Sequence, residues 1–92
     1  MIQSYKDRDT ERLAKLYRVK RFASIEKVAR RKLHQLKIAS QLSDLAVPPG
    51  NRLEVLKGNR AGQYSIRINS QYRICFKWGA NGPEEVEIVD YH

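Results

Sequence analysis

The sequence predicts an α+β domain in which two N-terminal helices pack on one face of a small, antiparallel-dominated sheet. Two observations carry this prediction. Apolar residues recur with a helical period up to about residue 39, and the period switches to two after Pro48-Pro49-Gly50. With 92 residues the chain can bury one core and no more, so residues 1–92 are read as a single domain.

Ile2 to Tyr5 is expected to form a short first strand. Asp9 or Asp7 can cap a helix starting near Thr10, with Leu13, Leu16 and Tyr17 on one side. Lys20 to Ala23 reads as a connection and Ser24 as the N-cap of the next helix, with Glu26 favoured in its first turn by the helix dipole. That helix, about residues 25–39, gathers Ile25, Val28, Ala29, Leu33, Leu36 and Ala39 on one face. Lys27, Arg30, Arg31, His34 and Lys37 occupy the other face, and Lys32 falls inside the apolar arc, from which it is expected to snorkel. Leu42 to Leu45 extends or follows the helix, and the two prolines then break the chain.

Leu53 to Leu56 reads as a short strand and Gly58 to Gly62 as a turn. Tyr64, Ile66 and Ile68 alternate with polar residues, as do Tyr72, Ile74, Phe76 and Trp78, and then Val86 and Ile88. Matching apolar residues across the first hairpin pairs Ile68 with Tyr72 and Ile66 with Ile74, which sets Arg67 opposite Arg73 on the outer face. A one-residue slip would bury arginines. Two like charges across a strand pair are unfavourable unless an anion sits between them. In the next hairpin, keeping Val86 and Ile88 inside pairs Lys77 with Glu85 or Glu87. It also sets Val89 and Tyr91 on the face of Arg73, with Asp90 and His92 at the strand end.

Charge divides the chain in two. Residues 1–40 carry twelve Lys/Arg against four Asp/Glu, net +8, whereas residues 41–92 carry six of each. A basic helical half attracts RNA, a ribosomal surface or an acidic protein; a solvated helix face is the alternative reading. The one cysteine, Cys75, rules out an internal disulfide and reads as packing. No targeting segment or membrane span is expected, and no metal-ligand spacing or Gly-rich phosphate loop is found in the sequence. A cytoplasmic protein with no cofactor and no metal is expected. Asp90-Tyr91-His92 then stands out as a carboxylate, a phenol and an imidazole in a row, on the rim of a basic protein.

Leu56-Lys57-Gly58-Asn59-Arg60-Ala61-Gly62, Ser65-Ile66-Arg67-Ile68-Asn69, Tyr72-Arg73-Ile74-Cys75-Phe76 and Glu87-Ile88-Val89-Asp90-Tyr91-His92 occur in that order. This series resembles the HigB-type toxins of the RelE superfamily over nearly the whole chain. The resemblance implies a microbial-ribonuclease-like fold and mRNA cleavage in the ribosomal A site, inhibiting translation. It implies as partners the ribosome, mRNA and a HigA-like helix-turn-helix antitoxin, with operator DNA reached only through the antitoxin complex. It assigns activity to Asp90, Tyr91 and His92, and phosphate binding to Lys57 and Arg73; Arg67, on the outer face, and Arg60, in the turn, are further candidate RNA-binding cations. Studied members carry histidine where this chain has Glu54, a departure that points to weaker cleavage.

Metal-free RNA cleavage needs a base for the 2′-OH, an acid for the 5′-oxygen and cations for the phosphorane. His92 suits the acid, and Glu54 the base if burial favours its protonated form. Asp90 would orient a neighbour, Tyr91 would stack on or steer the substrate, and Arg73 would stabilise charge. Lys27, Arg30, Arg31 and Lys37 form the expected partner or ribosome surface. The competing readings are a growth inhibitor that binds the ribosome or its assembly without cutting RNA, a ParE-like gyrase poison, and a plain nucleic-acid-binding domain.

Overall fold

The computed structural model describes residues 1–90. Helices α1 (Arg8–Ala14) and α2 (Glu26–Ile38) precede strands β1 (Glu54–Val55), β2 (Tyr64–Arg67), β3 (Tyr72–Gly79) and β4 (Gly82–Asp90). The strands form one antiparallel sheet in the order β1-β2-β3-β4. Leu13 of α1 and Ala29, Leu33 and Leu36 of α2 share a core with Ile66, Ile74, Phe76, Val86 and Ile88. This is the expected two-layer arrangement, and it leaves the odd-numbered residues of β2 and β3 on the outer face. Among the described residues no helix is long and apolar enough to cross a membrane.

The first hairpin has the expected register, with Ile66 opposite Ile74 and Arg67 opposite Arg73. The second hairpin departs from expectation. Cys75 pairs with Glu87 but Lys77 pairs with Glu84, so Glu85 and Val86 share the place opposite Phe76. This is a β-bulge, and Glu85 takes its kink with φ +50°. The Lys77 side chain still reaches Glu85, at 2.9 Å.

Residues 2–5 are not a full strand. They follow the open edge of β4 with a single parallel bridge, Tyr5 to Val86, because the bulge bends the ladder there. Gln3 N donates to Pro83 O at 2.8 Å, Lys6 N to Val86 O at 2.9 Å, and Val86 N to Ser4 O at 3.1 Å. Further along, Ile88 N donates to the buried Thr10 hydroxyl at 3.0 Å. The N-terminal segment and α1 thus cover an edge that would otherwise offer unpaired amides. Gly82 (φ +129°) permits the close approach, since a Cβ there would lie 2.6 Å from Met1 O.

Helix boundaries also moved. Asp7, not Asp9, caps α1 by accepting from Thr10 N at 3.0 Å, and Asp9 instead pairs with Arg21 at 2.8 Å. The helix ends at Ala14 and Leu16 turns left-handed (φ +71°), so Leu16 and Tyr17 leave the face of Leu13 and become exposed. Ser24 is not a cap: it lies inside a 3-10 turn, Lys20–Ile25, that runs directly into α2. Leu42 to Leu45 does not extend α2, because Ala39 is extended and Leu42–Ala46 forms a separate 3-10 turn burying Leu45.

Lys32 does not snorkel. It is buried, and its ammonium donates to Oδ1 of the fully buried Asn51. Asn51 Nδ2 in turn donates to Gln35 Oε1 and Leu45 O, each at 3.0 Å. The inward lysine is tolerated because a polar partner waits inside, and the pair ties α2 to the loop before β1. Burial, then the nearby Arg31, hold the Lys32 pKa below its ordinary 10.5.

Asn51→Ala should therefore cost about 3 kcal/mol in denaturant unfolding, since it leaves a buried charge without its partner. Because folding depresses the Lys32 pKa, the unfolded chain keeps that proton longer as pH rises. Stability should climb as pH approaches 10.5 from the lowered folded value, and Lys32→Met should flatten that part of the curve. Identical curves would mean that the ammonium is solvated.

Candidate functional site

The outer face of the sheet carries a cleft of about 240 Å³ lined by Arg52, Glu54, Arg67, Asn69, Ser70 and Arg73. Strand pairing builds it. Glu54 lies opposite Ser65, Ser65 opposite Cys75, and Arg67 opposite Arg73, all on the side away from the helices. Three arginines against one carboxylate make the cleft cationic. The arginine pair across β2 and β3 is the arrangement that an anion between the strands would stabilise.

Arg73 is held differently from expectation. Its place on the outer face implies a solvated side chain, but it is only 7% exposed. Its Nε donates to Ser65 Oγ at 2.7 Å and its Nη2 to Arg52 O at 2.6 Å. Its Nη1 lies 3.9 Å from Glu54 Oε1. The guanidinium thus reaches across β2, with Nε and Nη2 among its donors bonded to protein oxygens. Arg67 is half-buried and donates Nε to Asn69 O at 3.0 Å. Glu54 lines the same cleft, but its side chain is half exposed, not buried as the base role required.

Ser65 and Arg52 are site residues that the sequence reading missed. The alternation had already put Ser65 on the outer face, and the register had set it diagonal to Arg73. That signal was available. Arg52 offered none, because its role depends on a left-handed backbone (φ +46°, ψ +57°) that turns its carbonyl towards Arg73.

The other predicted cations lie elsewhere. Lys57 is exposed just before the turn Gly58–Arg60 and does not line the cleft. Arg60 donates to Gln63 Oε1 at 3.2 Å and to Glu87 Oε2 at 3.4 Å; Glu87 also pairs with Lys6 at 3.5 Å. Arg60 therefore belongs to a charge cluster beside Cys75, one strand step from the cleft. The Cys75 thiol is fully buried, and burial pushes its pKa up, in keeping with a packing role.

Asp90 pairs with Tyr72, so it lies on the helix-facing side of β4, and Gln71 Nε2 donates to it at 3.0 Å. Val89, opposite Arg73, is on the cleft side as expected. Among the described residues Asp90 is not brought to the cleft; Tyr91 and His92 lie outside the described residues.

On α2, Lys27, Arg31, His34 and Lys37 are exposed as expected. Arg30 is not a free surface cation. It donates Nη2 to Tyr17 O at 2.9 Å and Nε to Leu13 O at 3.4 Å, and pairs with Glu26 at 3.4 Å. It satisfies carbonyls at the end of α1, where a cation is favoured.

Residues 2–92 match a family of HigB-like toxins, described as the RelE-like toxin of the type II toxin–antitoxin system HigB. Toxin HigB-1 of Vibrio cholerae is 54% identical over 56 residues, covering 61% of this chain and 59% of that protein. An uncharacterized protein of Haemophilus influenzae is 39% identical over 59 residues, covering 64% of this chain and 58% of that protein. The chain thus spans somewhat under three fifths of each relative's length in these matches. A chain of the YoeB–YefM complex from Staphylococcus aureus superposes with TM-score 0.62 at 22% identity, over 100% of this chain and 98% of that one, which shows the fold.

The buried setting of Arg73 changes what its removal does. Arg73→Ala leaves Ser65 Oγ and Arg52 O without their donor and should cost about 1–3 kcal/mol. Arg67→Ala should stay within about 0.5 kcal/mol. Thermal melts of the two variants decide the point; equal melts would return Arg73 to solvent.

Proposed function

The chain belongs to the HigB-like family of RelE-like toxins of type II toxin–antitoxin systems, and on that premise we propose that it arrests growth by cutting mRNA on the ribosome. The cationic cleft carries this reading. A phosphodiester laid over β2 and β3 would meet Arg73 and Arg67 from below and Arg52 from the side, as charge-assisted partners. His92 donates a proton to the leaving 5′-oxygen, and Glu54, on the cleft rim, accepts the proton of the 2′-OH once bound RNA covers the rim and supplies the burial that the base role requires. Tyr91 stacks on or steers the substrate, Asp90 orients a neighbour, and Lys57 approaches the backbone from the turn beyond β1. The reaction so written draws acid, base and cations from side chains and asks for no metal.

A partner antitoxin of the helix-turn-helix class, acidic towards this basic chain, neutralises the toxin in the cytoplasm, and operator DNA is bound through that complex. The exposed cations of α2 lie on the sheet face opposite the cleft, so partner contact and RNA contact use different sides. One observation favours the non-cutting alternative. The Glu54 carboxylate stands 3.9 Å from Arg73, where it competes with phosphate for the same cation.

Expression of the chain alone should stop bacterial growth and generate new mRNA ends within open reading frames. Arrest without new ends would select the non-cutting reading, and normal growth at high soluble expression would remove the toxin reading. His92→Gln should lower ribosome-bound mRNA cleavage by roughly 10²–10⁴-fold, the size of a general acid–base contribution, with melts controlling for folding.

Charge reversal of Lys27 and Arg31 together should slow association with antitoxin or ribosome, most at low salt. Unchanged rates would mean that this helix face is merely solvated.

A further inference from the structure

We propose that Ser65 is a positioning residue: its buried hydroxyl, together with the backbone carbonyl of Arg52, fixes the Arg73 guanidinium so that a phosphate enters a cleft whose cation is already oriented. This deepens the RNA-cleaving reading and rests on it.

Ser65 is fully buried in the middle of β2, between Glu54 of β1 and Cys75 of β3. A buried hydroxyl needs a hydrogen-bond partner, and Ser65 has taken Arg73 Nε at 2.7 Å. Ser65 O adds a longer contact, 3.4 Å from Arg73 Nη2, on the same side of the guanidinium. The second jaw is Arg52 O, 2.6 Å from Nη2. Bonds to Nε and Nη2 hold one edge of the planar group and so fix its plane and its rotation about the side-chain axis.

Nη1 is thereby turned towards β1, where Glu54 Oε1 lies 3.9 Å away. That carboxylate oxygen marks a position that a phosphoryl oxygen can take.

The carbonyl jaw is itself built at a cost. Arg52 is a non-glycine residue in the left-handed region, a conformation that persists only when its surroundings determine it. The preceding Asn51, fully buried and bonded to Lys32, Gln35 and Leu45, supplies that determination. An arginine fixed during folding has less rotamer freedom to lose when substrate arrives, and its charge needs no reorganisation in the transition state.

The test uses Ser65→Cys, which keeps the volume but replaces the hydroxyl with a weak acceptor, and Ser65→Thr, which restores a hydroxyl on a strand-compatible side chain. Three quantities are read: kcat and KM for ribosome-bound mRNA, exchange of the Arg73 Nε proton by NMR, and affinity for a non-cleavable 2′-O-methyl RNA oligonucleotide. Ser65→Cys should lower kcat by roughly 10–100-fold with little change in KM, the effect expected when a charged group is displaced by about an ångström. It should also speed Arg73 Nε–H exchange about tenfold and weaken oligonucleotide binding, with Ser65→Thr reversing all three. A lower melting temperature with kcat, exchange and affinity unchanged would overturn the proposal, because a merely structural serine moves only the melt. If the unmodified protein does not cut RNA, the cleavage reading falls separately. Exchange and oligonucleotide affinity then still decide whether Ser65 sets Arg73 for an anion.

Discussion

Ile66 and Ile74, fully buried and directly opposite one another, lock the register on which both faces of the sheet depend. With a side-chain period of two, this pairing sends every even residue of β2 and β3 towards the helices and every odd one outward. The same constraint that builds the core also sets Arg67 against Arg73. Packing and electrostatics are therefore not independent here: shifting the strands to relieve the like charges would put arginines into the apolar layer.

Two buried polar clusters stand out among the described residues, and they meet in sequence. Lys32 and Asn51 fill a polar gap between α2 and the loop before β1; Ser65, Arg52 and Arg73 do the same on the other side of the sheet. Buried charges are weak sources of stability, since desolvation offsets most of their attraction. What they supply is geometry. Asn51 and Arg52 are neighbours, so the bonds that hold the loop to α2 also aim the carbonyl that holds Arg73.

The net charge of +8 has a corresponding division. Several cations are committed within the fold: Arg21 to Asp7 and Asp9, Arg30 to the end of α1, Arg60 to Glu87. Two further groups of cations lie on opposite sides of the sheet, the arginines of the cleft and Lys27, Arg31 and Lys37 on the outer side of α2. In the proposed function such separation matters, because contact with RNA and contact with an antitoxin then need not compete for the same residues.

The alternation of Tyr64, Ile66 and Ile68 against Tyr72, Ile74, Phe76 and Trp78 determined the sheet face, the first register and the arginine pair, because strand periodicity is local and admits one solution once a face must be buried. The helical stripe of α2 was legible for the same reason. Glu54 could be brought to the cleft by its strand, but its exposure could not be read, since that depends on what lies over β1. The bulge at Glu85, the left-handed turns at Leu16 and Arg52 and the inward Lys32 were not legible either. Each is a locally unfavourable state, held by a partner distant in sequence: Ser4 and Lys6 beside the bulge, Arg30 at the end of α1, Arg73 on the carbonyl of Arg52, Asn51 at the lysine. Sequence determined which residues share a face; only the tertiary structure decided which polar groups on that face would be buried, because the free energy that turns Arg73 inward belongs to Ser65 and to the carbonyl of Arg52 and not to Arg73 itself.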